Sequence, residues 1–183
     1  MEQVISIIVR NHPGVLMRVA GMFSRRGFNI DSLAVGITHN PDYSRMTVTM
    51  QAEAATITQV CKQLAKLVEV EQVKVLPPQA SAKRSMALVK VKTGTQRLEI
   101  LKVADVFRAQ AIDVTGGTLT FLITGVVDKL HAFVEVMSPY GILEMVQTGS
   151  IALERGEEVL TVEKSRFLWP EESPTGQEQG TII

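Results

Sequence analysis

The run Asn11-His12-Pro13-Gly14-Val15-Leu16 carries residue types suited to holding a small zwitterion. It leads from a β-branched segment into a helical stripe, so its backbone N–H groups form a helix N-terminus with partial positive charge, where a carboxylate can sit. Gly14 has no Cβ and lets a ligand approach the main chain, and the Asn11 amide offers donors and an acceptor to an α-ammonium or α-carboxylate. Asn29, following Gly27-Phe28, is a second amide in a loop position, while Val15, Leu16, Ile30, Val35 and Ile37 could wall a small aliphatic pocket. The same letters also serve as ordinary punctuation, because Pro-Gly often opens a helix and Asn often caps one.

Other chemistries find little support. His12, His39 and His131 are far apart in sequence, and Cys61 falls on an apolar helical stripe, so no metal site is expected and the thiol reads as a small buried hydrophobe. There is no G-x-S-x-G elbow and no G-x-x-x-x-G-K-[ST] or G-x-G-x-x-G loop, and Glu157-Glu158 and Glu171-Glu172 read as solvated acid pairs. The chain is therefore expected to have no catalytic residues of its own.

The elements that must position the Asn11 run recur. Val4 to Val9 is a nearly all-apolar strand ending at the turn cluster Arg10-Asn11-His12-Pro13-Gly14. Val15, Leu16, Val19, Met22 and Phe23 then follow helical spacing until Gly27 stops the helix. Asn29-Ile30-Asp31 opens a second strand through Val35 and Ile37, which turns at residues 38–42 into the alternating strand Met46 to Met50. A helical stripe from Ile57 to Val68 and a strand with Val73 and Val75 complete the order βαββαβ before Pro77-Pro78. The order repeats after it. Ala87, Val89 and Val91 mark a strand, Ile100, Val103 and Phe107 a helix, and Ile112 with Val114 a strand entering a Gly116-Gly117 hairpin. Leu119, Phe121 and Ile123 alternate in the return strand, Val127 to Met137 is helical, and Leu143 to Leu153 reads as one long last strand.

These patterns predict an α+β chain of two ferredoxin-like βαββαβ domains, each an antiparallel sheet with helices on one face. The expected boundaries are residues 1–77, a linker at 78–84, a second domain at 85–162 and a polar tail at 163–183, whose start Phe167, Leu168 and Trp169 could pin. Domains this small are marginal alone, and a first strand apolar on both faces predicts cover from a second copy.

Composition narrows the partners. The 183 residues balance 19 Lys+Arg with 19 Asp+Glu, and 45% are hydrophobic but only 5% aromatic. Zero net charge gives no global attraction for nucleic acid or an anionic membrane. RNA-recognition modules share the βαββαβ order but stack bases on sheet aromatics, which Val4 to Val9 and Met46 to Met50 lack, and Arg25-Arg26 and Lys83-Arg84 are only short basic pairs. No nucleic-acid or membrane partner is expected. A lone Cys61 and no signal-like start predict a cytoplasmic protein.

At Asn11-His12-Pro13-Gly14-Val15-Leu16 the sequence resembles the ACT domain, an amino-acid-binding regulatory module. The likeness extends through Arg18-Val19, the run Phe23 to Leu33, Ser44-Arg45-Met46-Thr47, Lys66-Leu67-Val68, Leu88-Val89-Lys90-Val91 and Ile112-Asp113-Val114. Together these segments resemble the small regulatory subunits of acetolactate (acetohydroxyacid) synthase, over Gln3 to Gly156. The resemblance implies a branched-chain amino-acid biosynthesis subunit that activates a large catalytic subunit and confers valine feedback inhibition. It implies no cofactor on this chain, with thiamine diphosphate, Mg2+ and FAD on the catalytic partner. It also implies a homodimer through the ACT domains with valine at the interface. Asn11, Gly14, Val15 and Leu16 would come from one protomer, and Asn29 and Ile30 from its partner. A stand-alone amino-acid-binding regulatory protein of the same fold is the alternative; no DNA-reading helix-turn-helix segment accompanies it.

Overall fold

The computed structural model describes residues 1–160, Val162 and the backbone of residues 167–168. The first unit runs β1 (Glu2–Arg10), α1 (Val15–Arg25), β2 (Ser32–Ile37), β3 (Tyr43–Gln51), α2 (Ala54–Leu64) and β4 (Val70–Leu76). The second runs β5 (Ser81–Lys92), α3 (Arg97–Val106), β6 (Gln110–Val114), β7 (Thr118–Gly125), α4 (Val127–Met137), β8 (Ile142–Gln147) and β9 (Ile151–Glu154). The sheet orders are β4-β1-β3-β2 and β6-β7-β5-β8, the same antiparallel topology twice. A two-residue β10 (Phe167–Leu168) pairs in parallel with β4, so the backbone there joins the sheet edge. Trp169 and the rest of the expected tail lie outside the described residues.

Strand alternation divides each sheet into two faces. Ile5, Ile7, Val9, Met46, Val48 and Met50 turn toward α1 and α2 and bury with Val19, Phe23, Ile57 and Leu64. Cys61 lies fully inside this core, where burial pushes its thiol up to about 12. In the second unit Val89, Phe121, Ile100 and Phe133 occupy the equivalent place, with Phe107 and Phe121 edge-on to Phe133 at 5.4 and 6.0 Å.

The helix that carries the Asn11 run is closed at both ends by glycine. Gly14 is its N-cap at φ 88°, a left-handed conformation that a Cβ disfavours. Gly27 at φ 69° ends it in a Schellman motif: Phe28 N donates to Phe23 O (3.0 Å) and Gly27 N to Ser24 O (3.1 Å). The Phe28 side chain returns to the core, which aims the chain at Asn29. Leu16, which the spacing placed with the stripe, is 45% exposed, because the buried face follows Val15, Val19, Met22 and Phe23.

Three expectations are corrected at the junction of the units. Residues 81–84, assigned to the linker, belong to β5 and pair with β9, so only residues 77–80 connect the sheets. The long last strand is broken: β8 ends at Gln147, β9 starts at Ile151, and Thr148-Gly149-Ser150 lies between. Finally, the outer face of β1 has cover within its own chain. Ala152 of β9 buries with Val4 and Leu76, Arg45 donates from Nη2 to Ala152 O (3.1 Å), Lys74 pairs with Glu154, and residues 156–160 follow beside Ile8, Arg45 and Lys74. The continuous apolar character of β1 is thus no argument by itself for a second copy.

Candidate functional site

The loop joining β1 to α1 is fixed from one side. Asn11 N donates to Asp42 O (2.7 Å), Asn11 Nδ2 donates to Pro41 O (2.9 Å), and Ser44 Oγ donates to Asn11 Oδ1 (3.0 Å). The amide expected to meet a ligand therefore first ties the start of α1 to the turn between β2 and β3. An amide has two N–H groups and two acceptor lone pairs, so each end keeps one position beyond these bonds.

Beyond Asn11 the helix end is open. No side chain caps α1 among the described residues, its first turn holds no acidic residue, and a Cβ placed on Gly14 would meet nothing within 4 Å. The first-turn N–H groups thus face an accessible space with partial positive charge, worth about 0.3–1 kcal/mol to an anion. Val15 is buried beneath, while Leu16 and Met17 stand exposed beside it. His12 is exposed; its backbone N donates to Arg10 O (3.2 Å) and its ring Nδ1 lies 3.3 Å from Pro13 O.

Asn29 and Ile30 sit at the other end of α1. Ile30 packs against the first core, and exposed Asn29 donates from Nδ2 to Asp31 Oδ1 (3.1 Å). Asp31 N then bonds Thr49 O (2.9 Å) and begins the pairing of β2 with β3. An 11-residue helix is about 16 Å long, so one chain does not bring Asn11, Gly14, Val15 and Leu16 together with Asn29 and Ile30. The cavities at the junction of the units are lined by other residues.

β2 is the free edge of its sheet, and Val35 and Ile37 on it are 46% and 67% exposed. An apolar edge strand with unpaired N–H and C=O groups is a template for another strand. Sequence reading missed the residues behind this edge. Ser150 N donates to Ser32 Oγ (2.8 Å), and Gly149 lies against the Leu33 main chain. The one signal available for them was a glycine between two small hydroxyl residues in an otherwise strand-like run. Among the described residues no group of three or more His, Cys, Asp or Glu could hold a metal ion, and no helix is long and apolar enough to cross a membrane.

Comparisons with known proteins agree on one family. Residues 5–72 match a model described as an AHAS small subunit-like ACT domain, and residues 84–156 match one described as the small subunit of acetolactate synthase. A probable acetolactate synthase small subunit of Archaeoglobus fulgidus is 42% identical over 157 residues, 85% of this chain and 98% of that protein. The acetolactate synthase small subunit of Mycolicibacterium smegmatis is 43% identical over 153 residues, 83% of this chain and 90% of that protein. The crystal structure of the acetolactate synthase small subunit of Thermotoga maritima superposes with a TM-score of 0.83 at 36% identity, covering 86% of this chain and 99% of that one.

Proposed function

Since the chain belongs to the acetolactate synthase small-subunit family, we propose that it acts as a regulatory subunit whose ACT domains dimerise and bind valine between two protomers. In this reading it associates with a large catalytic subunit, raises its activity and makes that activity sensitive to valine. Thiamine diphosphate, Mg2+ and FAD belong to the catalytic partner. A reducing cytoplasm suits the free, buried Cys61.

The observation that carries the site is the placement of its two halves. Asn11 is bonded to Pro41, just beyond the end of β2, whereas Asn29 and Ile30 precede its start. If two β2 edges pair antiparallel about a two-fold axis, the start of one lies beside the end of the other. Asn29 and Ile30 of the partner then approach Asn11 and Gly14 of the first chain. The open helix N-terminus receives the valine carboxylate, the free positions on the two amides serve its polar groups, and exposed Leu16, Val35 and Ile37 offer apolar contact to its side chain or to the partner.

Valine bound between protomers favours one dimer arrangement. Inhibition follows when the catalytic subunit is most active with another. A coupling of about 1–3 kcal/mol gives roughly 5–150-fold feedback.

The test is reconstitution. The chain is added to its catalytic subunit and acetolactate formation is followed with and without valine, with leucine and isoleucine as further arms. The expected result is a higher rate, reversed by valine. Gly14→Asp puts a negative side chain into the carboxylate's place and should abolish inhibition while activation persists. No change of rate on mixing would contradict the regulatory role; a Gly14→Asp subunit still inhibited by valine would contradict the site.

A further inference from the structure

The break between β8 and β9 is held on the second unit and presses on the first. Thr148 N donates to Met86 O (2.9 Å), Met86 N donates to Thr148 Oγ1 (3.0 Å), and the Ser150 and Ser85 hydroxyls are 2.8 Å apart in a buried pair. β5 thereby fixes the segment from one side. On the other side Ser150 N donates to Ser32 Oγ at 2.8 Å. Gly149 packs so closely on β2 that a Cβ there would collide with the Leu33 carbonyl and lie 2.9 Å from Ala34 N. Backbone sits on both sides of that contact, so no flexible side-chain end can give way.

Among the described residues of one chain, β2 has a strand neighbour on one side only. Its start is positioned by the pairing of Ser32 and Leu33 with Thr49 and Val48, and by this contact from the second unit. Asn29 and Ile30 lie three and two residues before Ser32, outside any strand or helix. The direction in which they leave the sheet depends on where Ser32 and Leu33 are held.

We infer that Gly149 and Ser150 are positioning residues for the effector site: the second domain holds the start of β2 and so sets Asn29 and Ile30 for valine bound against the partner's α1. This rests on the two-chain site proposed above and adds residues that touch no part of the ligand. It also gives the second domain a physical route to sense the effector. A contact that favours valine binding must itself be favoured when valine is bound, because the coupling is reciprocal.

Three variants of the full chain test the inference, each titrated calorimetrically with valine and assayed for activation of the catalytic subunit in valine's absence. Ser32→Ala removes the acceptor of the Ser150 N–H and should weaken valine about fivefold, the worth of one ordinary hydrogen bond. Ser32→Thr keeps a hydroxyl on a strand-favouring residue and should bind within about twofold of the unaltered chain. Gly149→Ala drives a methyl group into Leu33 and should weaken valine about tenfold or more. Activation without valine should stay unchanged in all three, a split that general loss of structure would not produce. Unaltered valine affinity in Ser32→Ala, or equal losses in Ser32→Ala and Ser32→Thr, would overturn the inference even if Gly149→Ala failed to fold. An unaltered chain that bound no valine would instead overturn the site assignment on which the inference stands.

Discussion

The two βαββαβ units repeat one topology and treat the helix-free face of the sheet in opposite ways. In the first unit that face carries Ser6, Thr47, Thr49, Gln72 and Lys74 with Val4, Ile8 and Leu76, and all eight are buried, beneath chain that includes β9 and its flanks. In the second it carries Leu88, Leu122 and Val146 with Lys90, Thr120 and Glu144, and none of the six is buried: Val146 is 61% exposed, and Leu88 and Leu122 are half-buried. Residue polarity therefore does not tell which face is covered. The break at Thr148-Gly149-Ser150 decides it, by sending β9 across the first sheet instead of extending the second. One consequence is that the unit bearing the proposed effector residues is backed by the other, whereas the second unit keeps its mixed apolar and polar face open.

Four measurements sharpen or break this contrast, the largest where the units are alike. Phe23 and Phe121 are both fully buried between sheet and helices, so Phe23→Ala and Phe121→Ala should each cost about 3–5 kcal/mol in urea unfolding. A loss below about 1 kcal/mol in either would show that its core is not the one described. The next effect belongs to the first unit alone. Ser6→Lys forces a charge onto the covered outer face at a position with no exposure and should cost about 3 kcal/mol.

Third comes an effect of pH. Cys61 is the single cysteine, and burial raises its thiol from 9.0 to about 12. The folded state therefore favours the neutral thiol, and the resulting stability is complete below pH 9 and lost as pH rises toward 12. Between about pH 8 and pH 10.5 the unaltered chain should lose about 2 kcal/mol more than Cys61→Ala. Parallel curves for the two would show the thiol to be solvated. The smallest effect is on the open face, where Val146→Lys should change stability by less than about 0.5 kcal/mol. A loss as large as that of Ser6→Lys would mean that the second sheet is covered as well.

The repeated element order was legible because each strand and helix carries its own period, and the glycines at 14 and 27 announced both ends of α1. The Asn11 loop was legible as a helix N-terminus for the same reason. What could not be read were relations between distant segments. Nothing near Asn11 shows that its amide is bonded to Pro41 and Ser44, since that needs the β2–β3 turn to return beside the loop. Leu16 fitted a helical stripe on paper but lies about 100° round the helix from Val15 and is exposed. The nearly all-apolar run Val4 to Val9 in β1 suggested another chain because the string cannot reveal that residues near 152 lie over residue 4. Ser81 to Arg84 looked like linker because a strand of small and basic residues has no alternation to betray it; only its partner β9 makes it a strand.

The central claim is that the effector site is shared between chains, and mixing two defective chains tests it directly. Gly14→Asp spoils the α1 half of the site and Asn29→Ala the β2 half, so a homodimer of either has no intact site. A hybrid dimer has one intact site, formed by Gly14 of the Asn29→Ala chain and Asn29 of the Gly14→Asp chain. Calorimetric titration with valine should give no binding for either variant alone and, after mixing, one valine per hybrid dimer at near the unaltered affinity. A mixture that binds no more valine than its separate components would contradict the account.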